Sequence, residues 1–259
     1  MGGEEEAREA AGPLELPAGP GTAHGARIEA AFLGALAGER AAQAPAAAGD
    51  LLEVADSIAT VGGFDADDLR RRGLAGSSQA GPAGLLLRAI PFGLLAPLDR
   101  PRIRRDAYRV AALAGADEGT AVTAIAAALL VADLTRFELP DAVVRVYQSL
   151  LEDAPFALLE RLRLGAVPLP DGDDDPGAAL QLAIAGVQGA DQIEAAIAGA
   201  LGPGRRAAVS LAGALAGAHL GGTDLDGAWR AAVPHAHRAA TLAAAVAARA
   251  AELSPAPPA

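Results

Sequence analysis

The sequence predicts an all-α protein, and three observations carry that prediction. The first is composition. The chain is 52% hydrophobic but only 3% aromatic, so its apolar surface is Ala, Leu and Val, and alanine is the strongest helix former. The second is periodicity, because apolar residues return at three- and four-residue spacing in one segment after another. The third is punctuation. Stretches rich in Gly, Pro and Asp separate those segments at the places where helices would end. A length of 259 residues suits one domain with an ample core.

Composition also excludes several functions. There is no Cys, which removes disulfides, Cys-zinc sites and thiol nucleophiles. All 21 basic residues are Arg, and Lys and Asn are absent, a codon bias of a GC-rich genome rather than a site signal. The net charge of -11 argues against non-specific binding to nucleic acid or an anionic membrane. It favours a soluble, cytoplasmic protein. The opening MGGEEEAREA is acidic and lacks the apolar stretch of a secretory signal. The longest uncharged run, residues 207–223, contains Ser, His and several Gly, which makes it a weak membrane span.

Taken in order, residues 1–24 offer little apolar surface and are expected to be a disordered acidic tail, with His24 solvated in it. One all-α domain is expected over residues 25–253, followed by a loose tail, 254–259. In the segment 27–42, Ile28, Ala31, Phe32 and Ala35 fall at helical spacing, and Gly34 and Gly38 allow a neighbouring helix to come close. Asp65, Asp67 and Asp68 suit a helix N-terminus. Arg70, Arg71 and Arg72 read as its solvated end. Residues 73–84 read as a loop, and helix is expected again from Asp106. In residues 117–137 Val122, Ile125, Leu129, Leu130, Leu134 and Phe137 share a broad apolar face. Residues 141–152 repeat the pattern through Val143, Val146, Tyr147, Leu150 and Leu151, and Phe156, Leu159 and Leu162 continue it. Both tyrosines read as packing residues. The Asp-rich break 164–177 lacks the spacing of a calcium loop and reads as a solvated acidic loop. Two helices follow, broken near Gly189. Then come a small-residue helix through His219, an interruption at Pro234 and an Ala-rich closing helix.

Several motifs resemble the ADP-ribosylglycohydrolase family. Gly84, Leu86, Arg88, Pro91 and Asp117 match its N-G-x-L-M-R-x-x-P and T-H-G-D-P segments, although Ala83, Ala114 and Gly115 stand where the Asn, Thr and His belong. Arg27, Ile28, Ala31, Leu33, Gly34 and Gly38 match its opening helix, with Glu39 at the Asp of its Gly-Asp pair. Asp56, Ser57, Gly62, Gly63, Phe64, Asp65, Asp68 and Leu69 resemble A-E-S-L…G-G-F-D-x-E-D-L, and the run from Val209 to Ala218 nearly repeats A-A-I-A-G-A-L-A-G-A. Trp229 matches a structural tryptophan.

The resemblance implies an orthogonal multi-helix bundle with a central cleft. It also implies two Mg2+ or Mn2+ ions that serve hydrolysis of ADP-ribosyl linkages. The family's metal motifs are T-D-D-T and G-G-D-T-D-T. Here Pro45, Ala46, Ala47 and Ala48 stand at the first, and Gly202, Pro203, Gly204, Arg205, Arg206 and Ala207 at the second. The alternative register for the second, residues 188–193, retains Asp191 alone.

No metal cofactor is therefore expected, and the leading expectation is a pseudoenzyme with a ligand- or partner-binding role. The alternatives are a hydrolase that uses carboxylates such as Glu39, Asp50, Glu53 and Asp117, and a purely structural interaction module. Glu39 is the candidate catalytic acid. Glu39, Asp117, Gly202, Gly204, Arg205 and Arg206 are the ligand-binding candidates. Arg205 and Arg206, at the expected start of a helix, suit an ADP-ribose-like or other anionic small molecule. Against this, successive helical residues diverge by about 100°, so solvent-facing arginines are the competing reading.

Overall fold

The computed structural model describes residues 19–43, 47–78, 81–221 and 227–254. The expected tails 1–18 and 255–259, together with Pro45 and Ala46, lie outside them. Within the described residues the chain is thirteen α-helices with no strand. They are α1 (Ala23–Ala42), α2 (Ala47–Val61), α3 (Ala66–Arg71), α4 (Gly81–Leu95), α5 (Arg100–Leu113), α6 (Glu118–Leu134), α7 (Leu139–Leu150), α8 (Phe156–Leu162), α9 (Pro176–Val187), α10 (Ile193–Ala200), α11 (Arg206–Leu220), α12 (Gly227–Ala232) and α13 (Ala236–Leu253). None of these helices is long and apolar enough to cross a membrane.

Local chemistry explains most of the starts. Thr22, Asp65, Asp99, Asp117 and Asp175 each accept a backbone N–H in the first turn of the helix that follows, the ordinary work of an N-cap. Pro101 and Pro176 sit in the first turns of α5 and α9, where a missing N–H costs nothing.

The sequence pattern also sorts the helices by depth. Residues 83–95, 120–134 and 207–218 are buried without a break, so α4, α6 and α11 are apolar on all sides and form the centre. By contrast α7 buries one face, through Leu139, Ala142, Val143, Val146 and Leu150. The outer α13 does the same with Ala239, Leu242, Ala243, Val246 and Ala247.

The tightest contact is between α1 and α11. A Cβ added to Gly34 would stand 2.1 Å from the Gly213 carbonyl oxygen, and one on Gly217 would stand 2.2 Å from that of Ala30. A Cβ on Gly38 would meet the Val209 oxygen at 2.4 Å. The two backbones touch, and glycine is required because any side chain would occupy the neighbouring main chain.

Several expected details are corrected. The first helix begins at Ala23, so His24 is helical and 1% exposed rather than solvated, and its Nε2 donates to the Leu94 carbonyl at 2.9 Å. Helix α4 begins at Gly81, inside the expected loop, and runs through Pro91. Helix α5 begins at Arg100 rather than Asp106, because Asp99 caps it. Tyr147 packs against the core, but Tyr108 is exposed and donates to Glu118 at 3.1 Å. Phe156 is 76% exposed because it opens α8 instead of lining its inner face. Arg72 is no solvated end: it binds Asp56 at 2.8 Å and Asp68 at 2.6 Å, and it holds the Asp68 carboxyl down to about 2.

Two histidines meet the start of α1. Burial pushes His24 below the ordinary value of 6.5, and the Arg27 charge adds to that against the Leu94 hydrogen bond. Burial also lowers His219, opposed by Glu138 and aided by Arg27. Arg27 itself donates to the carbonyls of Ala218 and His219, the unpaired acceptors that end α11. Below about pH 6.5 the unfolded chain takes up protons that these folded imidazoles refuse. Their stabilisation is thus complete above that pH and is lost as pH falls below it towards the folded values. The midpoint of thermal unfolding, followed by circular dichroism, should fall between pH 7 and pH 5. It should fall less in the double variant His24→Gln/His219→Gln. An equal fall in both proteins would assign the pH dependence to other groups.

Candidate functional site

The close packing of α1 and α11 sets their direction. Ala30, Gly34 and Gly38 face Gly217, Gly213 and Val209 in turn, so the helices are antiparallel. The exit of α1 and the entry of α11 therefore lie at one end of the pair. These are the two connections where the sequence places the divergent motifs, 45–48 and 202–207.

At this end the carboxylates are engaged by the fold. Glu39, in the last turn of α1, accepts the Ala48 N–H at 2.6 Å, so it supplies an acceptor to the first turn of α2. One turn further into the chain, Asp50 meets Arg88 at 2.8–2.9 Å. Arg88 is 2% exposed and also donates to the carbonyls of Leu74 at 2.9 Å and Gly76 at 2.7 Å. This arginine thus pins α4 to α2 and to the loop behind α3. Glu53 is drawn away to Arg238 at 2.7 Å. Asp117 is exposed and caps its own helix, accepting the Thr120 N–H at 2.7 Å, which holds its carboxyl below the usual carboxylate range.

The start of α11 already holds an anion from the chain itself. Asp173 is 8% exposed and its Oδ2 accepts the Ala208 N–H at 2.8 Å. Its own N–H binds the Gly204 carbonyl at 3.2 Å. Gly204, at φ +70°, makes the turn that presents that carbonyl, a conformation glycine adopts without a steric penalty. Arg205 donates to the carbonyls of Asp171 at 3.0 Å and Pro170 at 3.1 Å, while Gly202 and Arg206 are exposed.

The expected solvated acidic loop holds at Asp171, Asp174 and Asp175, which are exposed, and is corrected at Asp173, which is buried. It folds over the helix entry, where the Asp173 carboxylate accepts one first-turn N–H and Arg206 stays exposed. Asp175, expected in the acidic loop, caps α9, and the signal for it is an Asp followed by Pro and a periodic apolar run. Asp173 had no local signal, because its partner lies 35 residues away. Among the described residues no three His, Cys, Asp or Glu side chains are grouped to hold a metal ion.

These features define an all-helical bundle organised on a glycine-lined antiparallel pair, with its two divergent connections at a common end. The chain belongs to the ADP-ribosylglycohydrolase family, whose sequence profile matches residues 15–256. Its fold is similar to that of a solved structure described as an ADP-ribosylglycohydrolase-related protein complex. The TM-score is 0.72 at 19% identity, over 88% of this chain and 99% of that one. No match was found among curated protein sequences.

Proposed function

We propose that this chain is a catalytically impaired member of its family, a pseudoenzyme that keeps the scaffold and serves in binding an ADP-ribose-like or other anionic small molecule. The observation that carries this reading is the fate of the carboxylates. Glu39 serves a backbone N–H, Asp50 a buried arginine, and Asp173 a helix terminus. Neither divergent motif offers an acidic side chain, since residues 45–48 are Pro and Ala, and residues 202–207 are Gly, Pro, Arg and Ala. A pair of divalent cations needs several oxygen ligands each. The side chains at these positions do not fit such a pair. A cytoplasmic setting is in keeping with the net charge of -11.

Calorimetric titration with Mg2+ and Mn2+ tests the reading, together with an assay for ADP-ribose release from peptides ADP-ribosylated on Arg or Ser. The expected result is no tight divalent site and no release. Two tight sites would overturn it, as would turnover that disappears in Glu39→Gln. Such turnover would support an active hydrolase that uses Glu39.

A further inference from the structure

A second polar centre lies where α6 ends. Asp133 is 1% exposed in the last turn of α6, at the helix end that disfavours a negative charge. It is neutralised by Arg100, whose Nη1 donates to Oδ1 at 2.9 Å and to Oδ2 at 2.7 Å. Arg145, on α7, adds its Nε at 3.6 Å. The Arg100 Nη2 also donates to the Arg145 main-chain carbonyl at 3.3 Å, which holds the two helices together.

A third guanidinium is then in surplus. Arg136 follows α6 directly and has no carboxylate partner within 4 Å among the described residues. It rests on the Phe137 ring at 5.1 Å, and Arg145 rests on the same ring at 4.3 Å. Burial lowers the Arg136 pKa, and Arg145 and Arg100 lower it further, with Asp133 the sole acid acting against them. Three guanidiniums thus gather about one buried carboxylate, and the next acid along the chain, Glu138, is 82% exposed.

We propose that Arg136 and Arg145, braced by the Arg100–Asp133 pair and the Phe137 ring, form a binding site for a phosphate monoester. The charge supports this chemistry. A phosphate monoester carries about -1.5 to -2 at pH 7 and offers three strong acceptor oxygens. Guanidinium groups bind such oxygens with paired N–H donors. The half-buried positions of Arg136 and Phe137 leave the site open to solvent on one side. It is also remote from the divergent connections. His219, which ends α11, lies 3.6 Å from Glu138, which follows Phe137, so the site adjoins the end of α11 opposite its entry.

The test is calorimetric titration of the full chain, without divalent metal, with free phosphoserine and with a peptide containing phosphoserine. At least one should bind, and binding should weaken about tenfold or more in Arg136→Ala, and further in Arg136→Ala/Arg145→Ala. Preference for the free compound or for the peptide identifies the source of the group. Affinity should also fall as pH drops through about 6, where the phosphate becomes a monoanion. Arg70→Ala, at an exposed arginine of α3, should bind as wild type. Since Arg136 pairs with no carboxylate, its replacement should leave the circular dichroism spectrum unchanged. The proposal is overturned if neither probe binds, or if Arg136→Ala/Arg145→Ala binds as well as wild type.

Discussion

Gly34→Ala should destabilise the protein by about 3 kcal/mol, the severe end of overpacking, and lower the thermal midpoint by roughly 6–12 °C. The reason is what the new methyl group would meet. It would lie 2.1 Å from the Gly213 carbonyl oxygen and 2.6 Å from its carbonyl carbon. These are backbone atoms of a buried helix, so no rotamer change relieves the contact, and α1 and α11 must move apart along their shared length. The gain in helix propensity from glycine to alanine, about 1 kcal/mol, acts in the opposite direction and does not match it. Gly49→Ala is the control. A Cβ there has nothing within 4 Å, and Gly49 lies within α2, so that variant should be neutral or stabilised by up to about 1 kcal/mol. If thermal unfolding of Gly34→Ala matched wild type, the intimate contact of α1 with α11 would be wrong.

Asp50→Ala should destabilise by about 3 kcal/mol, because it strips a buried guanidinium of its counter-charge. The Arg88 side chain is 3% exposed and would keep only the carbonyls of Leu74 and Gly76. The loss should appear in chemical denaturation as a lower midpoint with an unchanged slope. Asp50→Ala/Arg88→Met should be more stable than Asp50→Ala alone, since removing the charge removes its desolvation cost. If the double variant lost the sum of both single losses, Arg88 would matter through its packing and carbonyl bonds, and not through the ion pair.

The helical class, and most segments in their order, were legible because helix formation and capping are local. Alanine content, three- and four-residue spacing, and a Ser, Thr or Asp at a helix start act within one or two turns. Asp65 and Asp117 declare their helices in that way. The glycines of α1 also announced a close neighbour, and the run from Val209 to Ala218 supplied one. Local signals erred where burial decided. Ala23 and His24 looked like tail, but α1 reaches them because the His24 ring finds the Leu94 carbonyl, 70 residues away.

The site is the part that only the tertiary structure decided. The sequence by itself determined which acids are missing at 45–48 and 202–207. It could not say what the remaining acids do, because each task depends on a partner from another element. The backbone of α2 takes Glu39, α4 supplies the arginine for Asp50, and α11 receives Asp173. The same holds at the far end. Arg100, Arg136 and Arg145 are scattered along 45 residues and carry no motif, and they form one positive centre only because α5, the end of α6 and α7 meet around Asp133. A carboxylate or guanidinium is free to act on a ligand only after the fold has satisfied its own buried polar groups. That balance is struck between residues far apart in the chain, so local pattern does not contain it.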